Sequence, residues 1–250
     1  AVFDFSFISV ARVSGANITK FFAQLTDRNL NDLEVGRVRY ALCRCPDGWL
    51  RSDLTIWKVS VDSYLIMSGL GQDLSDLADT FDIQGEDVVV YSVQGPRSLE
   101  ALDGLTDLSL LKALPYFGFA HLDVAGVKCN VGRLGYTGEL GFEIIASVAD
   151  GDQLWRELLA RIRPAGFTAA NCLRIEAGFV LFTNEFRLPV TAEEAGLKAF
   201  AGDDPVPPRY RLVCFRAKSL EFSDKDADSY NLVSPKSGTI TVTSACQSAI

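Results

Sequence analysis

Residues 133–143 read Arg-Leu-Gly-Tyr-Thr-Gly-Glu-Leu-Gly-Phe-Glu and pack three glycines, a tyrosine and two glutamates into a short stretch. Such a segment is either a plain hairpin with solvated ends or a loop whose backbone comes close to a ligand. Glu143 carries the chemistry in the second case. On a strand it shares a face with Gly141 and Ile145 and points away from Phe142 and Ile144. It is then either an edge charge that discourages aggregation or a buried acceptor for a heterocycle's N–H groups. A carboxylate suits the latter because it offers two acceptors to two parallel donors. Asp53 is the second carboxylate of interest. It follows the turn "PDGWLR" at the head of "LTIWKV". There it is a solvated turn residue, the default role of Asp, or a carboxylate held against a substrate amine to orient it or move protons. Arg174, in "LRIEAG", is a surface charge or a fork for a carboxylate.

Other chemistries find less support. His121 is the only histidine, and nothing ties it to a particular Ser or Cys, so no nucleophile–base pair can be assembled. The glycines at 135, 138 and 141 match neither GxxxxGK[ST] nor GxGxxG. The six cysteines are scattered without a CxxC pair, which argues against a structural zinc and for free cytosolic thiols, mostly buried. A net charge of −8 does not attract phosphate backbones and argues against a nucleic-acid partner. An anionic small ligand would need a local basic pocket, for which Arg133, Arg174 and Lys198 are the candidates. No apolar run approaches the roughly 20 residues of a membrane span. No signal peptide is visible, and the absent initiator Met suggests an N-terminus that is trimmed or not shown.

These residues need elements to hold them. Alternation over 2–13 predicts one strand, and 17–26 a helix with Asn17 as N-cap and Ile18, Phe21, Phe22 and Leu25 on one face. "VRYALCRC", "LTIWKVSV" and "SYLIMSGL" predict an antiparallel meander. A short helix is expected over 73–82, a buried strand over 87–94 ending at Gly95-Pro96, and a helix restarting at Pro96. Three strands follow, ending at Ala125-Gly126, at 133 and at 146. An amphipathic helix over 150–163 then turns Leu154, Leu158, Leu159 and Ile162 inward. "ANCLRIEAGFVLF" reads as helix up to Gly178. The order from 88 to 175 is that of a ferredoxin-like layer. After Gly202 the Pro-rich "DDPVPP" marks a break. "RLVCF" and "TITVTSA", with a Ser-rich charged loop between them, then predict the start of an all-β module.

Several ordered motifs carry a family resemblance over residues 2–202. "GRLGYTGELGFEI" resembles the signature of the aminomethyltransferases, the T-protein family of the glycine cleavage system. "FDFSFISVARVSG", "LTDRNLNDLEVGRVRYALCRCPDGWLRSDLTIWKV", "VYSVQGP", "LRIEAGFVLFTNEF" and "EEAGLKAF" resemble its other motifs in the same order. The resemblance implies an α+β, multi-domain cloverleaf. It comprises an antiparallel meander (1–86), a ferredoxin-like layer (87–202) and an incomplete C-terminal β module (203–250) around a central folate pocket.

It implies tetrahydrofolate as cofactor and one-carbon transfer from an amine or methylated donor. Asp53 falls on the catalytic aspartate, and Tyr40, Tyr116, Tyr136, Glu143 and Arg174 fall with the folate-binding residues, Glu143 gripping the pterin ring and Arg174 lying near the glutamate tail. A lipoyl carrier protein or a flavoprotein subunit is the implied partner, and the cytoplasm (or a mitochondrial matrix) the implied compartment. Four positions depart from the family pattern: Ser52 for the first Asp of a pair, Trp49 for a turn glycine, Phe7 for a histidine, and Gly69 for an asparagine. They are expected to alter the substrate side, which leaves open a non-catalytic folate-binding module or the folate subunit of a flavin-linked demethylating dehydrogenase.

Overall fold

The computed structural model describes residues 1–15, 17–71, 74–75, 83–186 and 189–214, and the backbone alone of 230–234 and 238–242. Two five-stranded antiparallel sheets dominate. The first has the order β1 (Val2–Asp4), β7 (Val88–Gln94), β10 (Gly141–Ser147), β9 (Val127–Gly132), β8 (Phe119–Val124). The second has the order β3 (Val38–Arg44), β4 (Leu50–Lys58), β5 (Ser63–Ser68), β2 (Ser9–Ser14), β6 (Ile83–Gly85). A separate hairpin joins β11 (Tyr230–Ser234) to β12 (Gly238–Val242).

The strand expected over 2–13 is two strands in different sheets. β1 pairs with β7, whereas β2 pairs with β5 and β6. A turn at 5–8 separates them: Ser6 N–H donates to the Asp4 carboxylate and Ile8 N–H to Phe5 C=O. Alternation alone could not reveal the break, because each half obeys it. The first residues thus pair across the boundary expected after residue 86. Within the first sheet, β7, β10 and β9 keep the split order of a ferredoxin-like layer, with α2 (Ser98–Ala101) and α3 (Leu108–Ala113) in the connection. The strand beside β7 comes from the N-terminus, and β8 adds an outer edge.

The apolar faces stack these elements into layers. Helix α4 (Val148–Leu159) and the 98–113 helices cover one face of the first sheet through Val89, Tyr91, Val93, Phe142 and Ile144. Helix α1 (Ile18–Leu25) covers the far face of the second through Phe21, Phe22 and Leu25. Between the sheets lie Phe3, Phe5, Val38, Trp57, Met67, Val90, Phe119 and Ile145. Each fully buried large apolar side chain contributes about 1.5–3 kcal/mol, so this middle layer holds the sheets in register.

Smaller differences from expectation have local causes. The cap of α4 is Ser147, whose hydroxyl accepts Ala149 N–H at 3.3 Å, so the helix starts at Val148. Leu154, Leu158 and Ile162 are buried, but Leu159 is 38% exposed. Asn17 occupies the N-cap position of α1 without a side-chain cap bond. Residues 211–214 form no strand: Leu212 N–H reaches Glu194 C=O as a single bond rather than a ladder. Of the helix expected over 73–82 only Leu74 and Ser75 are described, both helical; its other residues and residues 219–229 of the expected Ser-rich loop lie outside the described residues, while the end of that loop, Tyr230 and Asn231, is the start of β11. No described helix is long and apolar enough to cross a membrane.

Candidate active site

Asp53 is the fourth residue of β4, inside the strand rather than at its head, because pairing with β3 already begins at Leu50. Strand alternation places Asp53, Thr55 and Trp57 on one face. Trp57 fixes which face that is: it packs with Phe119 across the middle layer, ring centroids 5.1 Å apart. Asp53 therefore lies on the face of β4 that carries Trp57, where its cross-strand partner Leu42 packs against Phe182, Val190 and Ala192. Tyr40, cross-strand from Thr55, donates its hydroxyl hydrogen to Asp53 Oδ2 at 2.9 Å. Burial raises the Tyr40 phenol well above its usual range, and the Asp53 carboxylate adds to the rise, so Tyr40 stays a hydrogen-bond donor at physiological pH.

The first sheet presents Glu143. Its Cα partners are Ser92 on β7 and Gly132 on β9, and Gly132 is where Trp57 seats: a Cβ there would lie 2.3 Å from the indole. Glu143 is 7% exposed, and among the described residues its carboxylate has no hydrogen-bond or ion-pair partner. Burial pushes its pKa up to about 7 because desolvation disfavours the charged form. An unpaired buried carboxylate is costly.

The glycines of the 133–143 segment have a specific task. A Cβ on Gly135 or Gly141 would fall 2.2–2.3 Å from the Gln94 side-chain amide. Gln94, buried at the end of β7, donates to Ser92 Oγ at 2.9 Å and Leu134 C=O at 3.2 Å, and accepts from Thr137 Oγ1 at 2.9 Å. The loop therefore folds over this amide, and its glycines make room for Gln94. Ser92, Gln94 and Glu143 form a buried polar strip on the inter-sheet face.

Tyr136, in that loop, donates to Val180 C=O and stacks on Phe179 at 6.1 Å. Its phenol is raised first by burial; the Arg174 charge lowers it, while the Asp53 and Glu185 charges raise it further. Tyr136 is thus within electrostatic reach of Asp53. Arg174, on α5 (Phe167–Glu176), is a fork for an internal carboxylate. It pairs with Glu185 of α6 (Phe182–Glu185) at 2.8 Å, with side chains 2% and 5% exposed. The same guanidinium bonds Asn171 Oδ1 and Phe179 C=O, and Glu185 also accepts Leu181 N–H. This network pins the turn that receives the Tyr136 hydroxyl. Tyr116 is 59% exposed, and its phenol is raised by burial and then by the Glu143 charge.

Tyr40 is hydrogen-bonded to Asp53, and the Asp53 charge is felt at Tyr136 as the Glu143 charge is at Tyr116. Arg174 stands behind Tyr136. The expected basic pocket is not assembled, because its three members serve separate local contacts. Arg133 caps Leu114 C=O, Arg174 pairs with Glu185, and Lys198 bonds Gly202 C=O. Ser52, expected on the substrate side, is buried on the opposite face of β4 from Asp53. Trp49 lies under the Arg209 guanidinium at 4.6 Å. Phe7 is 61% exposed between Phe5 and Phe167, and a Cβ on Gly69 would meet open space. Sequence reasoning missed Gln94, Glu185 and Phe200. A polar residue closing the apolar run "VVVYSVQ" was a signal for the first; the other two had none.

A separate cleft of about 250 Å³ opens where the sheets splay apart, lined by Arg12, Glu86, His121, Asn130 and the apolar Val10 and Ile145. It contains none of the residues above.

Two five-stranded antiparallel sheets packed through a shared apolar layer and flanked by helices define the class, an α+β protein. Residues 1–204 match the family model described as the GCVT N-terminal domain, and the chain belongs to that family. An aminomethyltransferase of Corynebacterium aurimucosum is 33% identical over 219 residues, covering 80% of this chain and 59% of the relative. One from Exiguobacterium sibiricum is 31% identical over 248 residues, covering 90% and 67%. The chain spans about three-fifths of the first of these relatives. The crystal structure of glycine cleavage system aminomethyltransferase T from Bartonella henselae has the same fold. Its TM-score is 0.70 at 23% identity, covering 80% of this chain and 57% of that one.

Proposed function

We propose that this chain is the folate-handling part of an aminomethyltransferase-type enzyme, which moves a one-carbon unit from an amine or methylated donor to tetrahydrofolate. One observation carries the reading: Glu143 is a buried carboxylate without a partner among the described residues, on the face of its sheet that packs against the sheet carrying Asp53. A carboxylate in that condition fits a flat heterocycle presenting adjacent N–H donors, since it supplies two acceptors. Bound there, the reduced pterin supplies a nitrogen that accepts the one-carbon unit.

The protein's own tasks are then separable. Glu143 accepts the heterocycle's hydrogens, and donors arriving at the carboxylate favour its charged form and draw its pKa back down. Asp53, oriented by Tyr40, positions the reacting amine or moves its proton. Tyr136 is held by the Val180 carbonyl, and Arg174 positions it from behind through Glu185. Trp57 and Phe119 close one side of the layer against water. Positioning of this kind supplies as much as about 7–11 kcal/mol of a barrier, and one acid–base carboxylate adds about 10²–10⁴-fold. The donor comes free or on a lipoyl carrier protein. The reading also retains the cloverleaf division at 86 and 202, apart from β1, which pairs with β7 across the first of these.

Anaerobic calorimetric titration of tetrahydrofolate into the full natural chain tests this, beside Glu143→Ala. Micromolar binding lost in the variant is the expected result. No binding by the unmodified protein overturns the reading.

A further inference from the structure

We propose that residues 189–204 form a strap that positions Asp53 from behind, acting through Phe200 and Tyr40. The proposal rests on the reading of Asp53 as the working carboxylate, but its contacts stand independently. Tyr40 is gripped at both ends. Its hydroxyl is bonded to Asp53 at 2.9 Å, and its ring meets Phe200 edge-on, centroids 5.0 Å apart at 82°. Such aromatic pairs are directional, so Phe200 sets the plane of the Tyr40 ring and with it the direction of the O–H.

Phe200 is itself fixed. It ends a 3₁₀ turn, Lys198–Phe200. Arg28 lies over its ring at 5.7 Å while donating to Ala199 C=O at 3.0 Å. Next along the chain, Gly202 N–H donates to Asp27 Oδ2 at 3.3 Å. Asp204 then ties the strap into a closed loop. Its carboxylate accepts Ala192 N–H at 3.0 Å and Glu193 N–H at 3.1 Å, and pairs with Arg44 on β3 at 3.2 Å. Arg44 also pairs with Asp27 at 2.5 Å. Between these ends, Val190, Ala192 and Ala195 pack on Leu42 and Leu50 of the meander. The strap is therefore anchored to the strands that carry Tyr40 and Asp53, and its aromatic tip meets the tyrosine of that pair. Phe200 is a positioning residue.

The test uses the full natural chain with tyrosine labelled with ¹³C at Cζ. The Tyr40 signal, one among seven tyrosines, is assigned by its loss in Tyr40→Phe. Phe200→Leu is expected to shift that signal, as is Asp204→Asn, while Phe200→Tyr leaves it near its original place. With tetrahydrofolate and a productive donor, Phe200→Leu lowers kcat roughly 3- to 10-fold at unchanged KM for folate. It adds nothing in a Tyr40→Phe background. A Tyr40 signal unmoved in both Phe200→Leu and Asp204→Asn overturns the strap, as does an additive double variant. If the unmodified protein shows no folate turnover at all, the functional reading fails, and the tyrosine signals still decide the strap. Should Phe200→Leu not fold, the milder Asp204→Asn decides it by the same signal.

Discussion

The layer between the two sheets ends differently at its two sides. At one, Arg12 and Glu86 pair at 2.6 Å with side chains 33% and 27% exposed, beside the exposed Lys128–Asp123 pair and His121. At the other lie Glu143, buried and unpartnered among the described residues, and Asp53, which accepts the Tyr40 hydroxyl hydrogen. The first side has more ionisable groups and an open cleft of about 250 Å³. Its charges are matched and wet, so each is worth little. The second side has fewer groups, but burial raises the Glu143 carboxyl pKa to about 7 and lifts the Tyr40 phenol above its usual range.

The comparison breaks most visibly at Asp53. Asp53→Asn should lower one-carbon transfer about 10²- to 10⁴-fold with tetrahydrofolate affinity nearly unchanged, as measured by single-turnover kinetics and calorimetry. Arg12→Met, at the wet end, should leave turnover within twofold on the roughly 0–1 kcal/mol scale of exposed ion pairs; equal losses in the two variants would erase the distinction between the ends.

Glu143 gives the next largest effect, and it has a pH signature. Its pKa is raised from 4.5 to about 7 in the folded chain. The protonated folded form is therefore favoured, and this contribution is fully present below about pH 4.5 and lost as pH rises through about 7. Without ligand, urea denaturation should show that part of the stability falling across this window, by about 3 kcal/mol at most. Glu143→Gln should flatten the slope and stabilise the protein at pH 8. An unchanged slope in the variant would show that Glu143 is solvated after all.

Gly141→Ala should cost about 1–3 kcal/mol as the new methyl displaces Gln94, seen as a lower urea midpoint at constant m. Gly69→Ala, whose methyl meets open space, is the control, with a change within about 0.5 kcal/mol. Smallest of all, Arg12→Met should alter stability by no more than about 1 kcal/mol. A larger loss would mean that the wet end is organised more tightly than its exposure suggests.

Much of this architecture was legible in the sequence. Period-two alternation found β3, β5, β7, β8, β9 and β10, and helical spacing found α1, α4 and α5. The signature from Gly132 to Ile144, with the other ordered motifs, carries the family membership in contiguous sequence. Those signals are local, written in neighbours three or four residues apart or in contiguous motifs. The tertiary structure alone decided what those residues face. It split residues 2–13 between two sheets, turned Ser52 away from Asp53 and occupied Arg174 with Glu185. It also assigned Gly135 and Gly141 to Gln94, and set Phe200 against Tyr40 across 160 positions of sequence. Such contacts depend on how whole layers stack, and desolvation of a carboxylate depends on every atom that excludes water from it. No short stretch of sequence encodes either, which is why the residue types of the site could be read in advance and their partners could not.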